Sequence, residues 1–76
     1  MKEMIEIIAR ALVDHPDAVS VTEINGSHTS IVELSVAKED IGKIIGKQGR
    51  TADALRTLFN AVSSKAKTRS RLEIID

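Results

Sequence analysis

The spacing of apolar residues in the first half of the chain predicts one helix followed by two strands. Residues 2–14 have a helical period, because their apolar side chains recur three and four positions apart. These side chains are Ile5, Ile8, Ala9 and Leu12. Pro16 is expected to end the helix, since proline lacks an amide hydrogen and disfavours helical geometry at the residue before it. Residues 19–25 and 30–36 then alternate with period two, which predicts two strands joined by a turn at Asn25-Gly26.

The second half of the chain returns to a helical period and ends with a strand pattern. Residues 38–45 predict a short helix, and we interpret Glu39 and Asp40 as acidic residues of its first turn, where the helix dipole favours anions. A glycine-containing interruption separates this helix from a longer one at about residues 50–67. The apolar stripe of the longer helix is Ala52, Leu55, Phe59, Val62 and Ala66. The final residues, 71–75, predict a strand that directs Leu72 and Ile74 inward.

The predicted order of elements, α-β-β-α-α-β, defines the fold class. Three strands and three helices in this order predict an α+β fold of two layers, with a three-stranded sheet covered on one face by the helices. A chain of 76 residues is expected to form a single domain over residues 1–76. No cysteine is present, and 42% of the residues are hydrophobic. Stability must therefore come from an aliphatic core or from a partner subunit.

The charged residues are divided unevenly between the two halves. Residues 1–41 contain three Lys or Arg against eight Asp or Glu, a net charge of −5. Residues 42–76 contain eight Lys or Arg against three Asp or Glu, a net charge of +5. The chain as a whole is neutral, so the asymmetry rather than the total charge indicates a second half that faces a polyanion.

Several classes of function find no support in the sequence. No apolar run approaches the roughly 20 residues of a membrane helix, and charged residues interrupt the apolar start, so we expect a cytoplasmic protein without a signal peptide. No Ser/His/Asp or Cys/His set is apparent, and His15 and His28 lack nearby ligand partners. A P-loop would need one more residue between Gly42 and Gly46, and a hydroxyl residue where Gln48 stands. We therefore expect no enzyme, no metal, no cofactor and no small-molecule substrate.

The glycine interruption is the segment with the clearest chemistry. Gly46 and Gly49 lie three apart between two amphipathic helices, and glycine permits both a sharp turn and the close approach of another backbone. Free amide groups at the start of the second helix favour an anion. Lys47 lies at the tip, with Lys43 and Arg50 beside it, so the segment is suited to clamp a phosphate backbone. The alternative is a plain connector in which one glycine ends a helix.

These residues resemble a known signature. Ile44-Ile45-Gly46-Lys47-Gln48-Gly49 resembles the Ile-Gly-x-x-Gly motif of KH domains, whose loop clamps about four nucleotides of single-stranded RNA. The order of elements is similar to the type II KH arrangement. Through His15-Pro16 and the run from Gly42 to Arg56, the whole chain resembles the small stand-alone bacterial KH proteins of the KhpA family. The resemblance implies an RNA-binding protein that acts as an RNA chaperone or post-transcriptional regulator.

The same resemblance implies a set of contact residues. The implied RNA-contacting residues are Ile41, Lys43, Ile45, Gly46, Lys47, Gln48, Gly49, Arg50 and Arg56. Ile41 and Ile45 are expected to form an apolar floor for bases, whereas Ile44 points toward the core. The strand at residues 30–36 is expected to form the opposite wall and to read bases through its backbone.

Phe59 is the only aromatic residue, and it falls on the core stripe. Without aromatic stacking, which contributes about 1–3 kcal/mol per base, binding is expected to be weak and of low sequence specificity. The alternative function is a protein-interaction module with a KH fold that does not bind RNA.

A second stripe on the long helix consists of Ala54, Leu58 and Ala61. These residues either lie at the rim of the core or form a subunit interface, in which small residues allow two helices to pack closely. The family resemblance favours an interface, since its members are associated with self-pairing and with a larger KH-containing RNA-binding partner. We therefore expect a homodimer, a heteromer with such a partner, or both.

Overall fold

The computed structural model describes residues 1–75, in which three helices cover one face of a three-stranded sheet. The helices are α1 (Lys2–Leu12), α2 (Ile41–Ile45) and α3 (Arg50–Lys65), and the strands are β1 (Ser20–Asn25), β2 (Ser30–Ser35) and β3 (Ser70–Ile75). Short 3-10 turns at Pro16–Ala18, Lys38–Asp40 and Lys47–Gly49 connect these elements. The predicted α+β class and the order α-β-β-α-α-β are confirmed.

The sheet has β2 at its centre. It pairs antiparallel with β1, where Val21 lies opposite Leu34, and parallel with β3, where Val32 lies opposite Leu72. A parallel pair cannot be joined by a tight turn, so the chain must cross from the end of β2 to the start of β3. The segment formed by α2, the glycine loop and α3 makes this crossover.

The core lies between the helices and the covered face of the sheet. The strands contribute Val21, Val32, Leu34 and Leu72, while the helices contribute Ile5, Ala9, Ile44, Leu55 and Phe59. Phe59 is fully buried, as its place on the predicted stripe requires. Ile74 is half-buried and packs against this cluster. The core is therefore aliphatic with one aromatic ring at its centre.

Two helices end earlier than predicted. α1 stops at Leu12 rather than at residue 14, because Val13 adopts an extended conformation (φ −99°, ψ 161°) and places its side chain in the core, while Leu12 remains partly exposed. α3 stops at Lys65 rather than at residue 67, and Ala66 is exposed instead of continuing the stripe.

Ser63 is buried in the turn of α3 where the pattern assigned Val62 to the core, and Val62 is only half-buried. The Ser63 hydroxyl donates to the carbonyl of Thr68 at 3.0 Å. The amide of Thr68 in turn donates to the carbonyl of Ser63 at 3.0 Å. A polar side chain can therefore be buried here, because its hydrogen bonds close the end of α3 onto the chain that leads into β3.

Asp40 does not have the role that its position suggested. Residues 38–45 are not one helix, since a 3-10 turn precedes α2, and Asp40 makes no capping hydrogen bond with its own side chain. Its side chain is 1% exposed and accepts hydrogen bonds from the amides of Asp14, at 3.2 Å, and His15, at 2.9 Å. One buried carboxylate thus ties the connection between α1 and β1 to the start of α2.

We predict that Asp40→Ala destabilises the fold by about 2 kcal/mol, because two backbone amides lose a charged acceptor. In a domain of this size, that loss corresponds to a fall in melting temperature of about 10 °C. Urea and thermal unfolding followed by circular dichroism measure the change. Glu39→Ala is the matched control, since the carboxylate of this exposed neighbour makes a single ion pair within residues 1–75, with His15 at 3.9 Å. Equal stability of the two variants would show that Asp40 does not brace the fold.

Candidate nucleic-acid interface

The loop between α2 and α3 has an unusual backbone. Gly46 has φ 77° and ψ 172°, Gln48 has φ 58° and ψ 27°, and Gly49 has φ 75° and ψ 10°. Three of the four loop residues therefore have positive φ, which side chains on L-residues disfavour. The loop turns the chain sharply and leaves Lys47 and Gln48 exposed at its tip.

The two glycines are required for different reasons. A Cβ atom on Gly46 would lie 2.6 Å from Cβ and 2.9 Å from the amide nitrogen of Thr51, so the start of α3 packs directly against this glycine. A Cβ atom on Gly49 would meet nothing within 4 Å. Gly46 is therefore required by both its packing and its conformation, whereas Gly49 is required by its conformation alone, at an open surface.

The amides of the loop show which donors are free. The Gly46 amide donates to the carbonyl of Gly42 at 2.9 Å, and the Gly49 amide donates to that of Gly46 at 3.1 Å. The Arg50 amide donates to the carbonyl of Lys47. Lys47 and Gln48 are the first two residues of the 3-10 turn, so their amides have no acceptor within that turn. These unsatisfied donors lie at the loop tip, one turn before the position that the sequence predicted.

The positive side chains do not all gather at the loop. Lys47 is exposed at the tip, and the Arg50 guanidinium donates to Oε1 of Gln48 at 3.1 Å. Lys43 is turned away toward the α1–β1 connection, where its ammonium lies 3.1 Å from the Asp14 carboxylate. This pair is solvent-exposed, so it costs at most about 1 kcal/mol to open.

A trough of about 790 Å³ lies beside α2. It is lined by Ser35, Val36, Lys38, Ile41 and Ile75. The predicted floor residue Ile41 is thus in the trough, and Ile45 is half-buried one helical turn further on. Ile44 is fully buried, which confirms that it belongs to the core.

The prediction that residues 30–36 form the opposite wall holds only for Ser35 and Val36, which line the trough. The predicted backbone readout is wrong for β2, because β2 is paired on both sides and its backbone groups are already used. The free edge on this side belongs to β3. The Ser30 amide donates to the carbonyl of Arg69 at 2.8 Å, which fixes the parallel ladder. In this ladder the backbone groups of Ser70, Leu72 and Ile74 point away from β2.

The second stripe on α3 lies outside the core. Leu58 is 46% exposed, and Ala54 and Ala61 are also exposed. The interpretation that these residues form the rim of the core is therefore not supported. Arg56 lies elsewhere on the same helix, with its guanidinium 3.8 Å from the Asp53 carboxylate.

The family comparison agrees with this geometry. Residues 2–74 match the family model described as "KhpA/KhpB, KH domain". The chain belongs to the KhpA/KhpB family of KH domains.

Three relatives illustrate how fully this KH domain resembles other members. The chain is 57% identical over 75 residues to the RNA-binding protein KhpA of Caldanaerobacter subterraneus subsp. tengcongensis, covering 99% of this chain and 100% of the relative. It is 57% identical over 76 residues to that of Halalkalibacterium halodurans, covering 100% of both chains. It is 54% identical to that of Chlamydia pneumoniae, covering 100% of this chain and 97% of the relative. The comparison with solved structures gave no match.

One further observation concerns membranes. Within residues 1–75, no helix combines the length and the apolar composition that spanning a bilayer requires.

We predict that alanine substitutions at three glycines of this KH domain have different effects on stability. Gly46→Ala should cost about 2–3 kcal/mol, because its backbone region is almost restricted to glycine and Thr51 blocks a side chain. Gly49→Ala should cost about 1 kcal/mol for its left-handed conformation alone. Urea unfolding measures both. Gly42→Ala is the control, since this helical glycine has open space around its Cβ position, and it should stabilise by about 0.5 kcal/mol. Equal losses of stability in Gly46→Ala and Gly49→Ala would show that the contact of Gly46 with Thr51 adds nothing to the conformational cost.

Proposed function

We propose that this KH domain binds single-stranded RNA at the loop of residues 46–49. The observation that carries the proposal is the pair of exposed residues Lys47 and Gln48 between the two glycines, whose amides have no acceptor within their own turn and lie beside the Lys47 and Arg50 side chains. Backbone amides and cations at a surface without steric obstruction suit a sugar-phosphate chain. The name "RNA-binding protein KhpA" carried by the relatives supports the same conclusion.

The proposed strand runs from the loop over the trough. The side chains of Ile41 and Ile45 form the floor for bases, and the free edge of β3 forms the opposite wall in place of β2. Gly46 and Gly49 allow the backbone to approach, while Arg50 and Arg56 reach phosphates from α3. Lys43 also contacts a phosphate once its ion pair with Asp14 opens. A phosphate can replace the Asp14 carboxylate as its partner, because the exposed pair is weak.

The proposed affinity is low. Contact of the three cations nearest the loop, Lys43, Lys47 and Arg50, with phosphate gives a slope of log affinity against log salt of about −2. Four clamped nucleotides and no exposed aromatic ring correspond to micromolar dissociation constants, on the order of −8 kcal/mol. Phe59 cannot stack on a base, since it is buried at the centre of the core. Such a site grips the backbone and discriminates poorly between bases.

The cellular role we propose is that of a cytoplasmic RNA chaperone or post-transcriptional regulator. A single weak clamp gains avidity when two clamps act on one RNA, so we propose a homodimer or a heteromer with a larger KH-containing RNA-binding protein. The exposed stripe of Ala54, Leu58 and Ala61 is the proposed contact surface. The second candidate function, a protein-interaction module without RNA binding, is favoured by the same exposed stripe alone.

We predict that Lys47→Asp combined with Gln48→Asp weakens RNA binding more than tenfold, because two carboxylates replace the tip of the clamp. Both substitutions keep the glycines, and aspartate tolerates the left-handed conformation at position 48. Fluorescence anisotropy with a labelled five-nucleotide RNA measures the affinity, and circular dichroism verifies the fold.

The control for this variant is Lys65→Asp, at the opposite end of α3, which should leave the affinity for the short RNA within about twofold. Unchanged binding by the loop variant would exclude the loop as the RNA site. No measurable binding by the unmodified protein would favour the protein-interaction module.

We predict that Leu58→Glu converts a dimer into a folded monomer, because the charge would be buried between two helices. Light scattering coupled to size exclusion gives the mass, and circular dichroism verifies the fold. Ile7→Glu is the matched control, since Ile7 on α1 is 70% exposed and lies outside the proposed interface. A dimer that persists in Leu58→Glu, or one that dissociates equally in Ile7→Glu, would rule out this surface.

A further inference from the structure

A second group of positive side chains lies at the end of α3 that is remote from the loop. The chain leaves α3 and enters β3 through residues 65–71, and the turn between β1 and β2 packs beside it through the hydrogen bond from the Ser30 amide to Arg69. We call residues 25–30 and 65–71 together the basic end. Its cations are Lys65, Lys67, Arg69 and Arg71.

The basic end is poorly neutralised. No Asp or Glu occurs in residues 24–32 or 61–72. Arg71 pairs with Glu73 at 3.2 Å, but Lys65, Lys67 and Arg69 form no ion pair within residues 1–75. The dipole of α3 accounts for a cation at Lys65. It does not account for Arg69, which lies beyond the helix.

A small cleft lies between the loop and the basic end. It has a volume of about 200 Å³ and is lined by Arg56, Asn60, Arg71 and Leu72. The Leu72 side chain is buried in the core, so this residue lines the cleft with backbone groups, which face the free edge of β3. The cleft therefore offers a guanidinium, an amide and backbone donors and acceptors along the path from Arg50 to Lys65.

The geometry of α3 sets the length of this path. Fifteen residues separate Arg50 from Lys65, which corresponds to about 22 Å along the helix. A stacked strand advances about 3.4 Å along its axis per nucleotide, so about seven nucleotides cover this distance. Arg56 and Asn60 both lie about 160° around the helix from Leu58, so the part of the strand in the cleft does not compete with the proposed dimer surface. Lys65 lies only about 20° around the helix from Leu58 and borders that surface.

We propose that the basic end is a second RNA-backbone site, which holds the part of the same strand that extends beyond the four nucleotides at the loop. This proposal rests on the proposed function, because the loop fixes one end of the strand. The cleft at Arg56 and Asn60 guides the strand between the two sites. Since the contacts are made by cations and backbone groups, the site recognises the phosphate backbone rather than base sequence.

The experiment compares the salt dependence of binding for a five-nucleotide RNA and for one of about twelve nucleotides, long enough to reach both sites. Salt dependence is the decisive measurement, because a longer RNA also offers more binding registers, which raises affinity without changing the number of phosphate contacts. With Lys65, Lys67 and Arg69 engaged, the slope of log affinity against log salt should be steeper for the long RNA by about 2.

Lys65→Gln combined with Arg69→Gln should reduce the difference in slope between the two RNAs by about 1.4, because two of the three cations are lost. Binding of the short RNA should stay unchanged. Lys2→Gln combined with Arg10→Gln is the control, since it removes the same charge from α1, which packs over β1 at the opposite edge of the sheet. Circular dichroism verifies both folds.

Each outcome identifies which statement fails. Equal slopes for the two RNAs in the unmodified protein, or an equal loss in both double variants, would overturn the second site while leaving the loop as an RNA site. Binding of neither RNA would instead overturn the proposed function. A double variant that loses binding to an acidic protein but not to the long RNA would assign the basic end to a protein partner and overturn this proposal.

Discussion

The position of α2 depends on the buried carboxylate of Asp40. This helix has only five residues, too few to be stable alone, so its placement must come from tertiary contacts. Ile44 inserts into the core, and Asp40 holds the backbone of Asp14 and His15. The Ile44 side chain fixes how deeply α2 sits on the core, whereas the two charged hydrogen bonds of Asp40 also fix the orientation of this helix. The positions of the trough and of the loop after α2 depend on both.

Sequence reasoning found the features that local patterns encode. Alternation and helical period gave the six elements, and the spacing of Gly46 and Gly49 gave the loop. It did not find the role of Asp40, because its partners are 25 and 26 positions away and no local period records such a contact. The family resemblance assigned the groove wall to residues 30–36, and alternation could not correct this, because it identifies a strand without identifying its neighbours.

The helix ends were missed for related reasons. Val13 breaks the period of α1 because the core needs its side chain, and Ser63 is buried because Thr68 supplies its hydrogen bonds. Both depend on residues that become neighbours only in the folded chain. The placement of Lys43 beside Asp14 is a further example, since the sequence shows that the cation is near the loop but not that a carboxylate competes for it.

The crossover connection places β3 at the edge of the sheet, and this edge position affects how the trough responds to thermal fluctuation. β3 is an edge strand held by one neighbour, so its opening is expected to require less free energy than global unfolding. Its last residue, Ile75, lines the trough together with Ile41, so detachment of this strand removes part of the trough lining while the β1–β2 hairpin stays paired. A ligand that needs the closed form would suppress such opening by mass action, so occupancy of the groove should slow amide hydrogen exchange most strongly at the sheet edge.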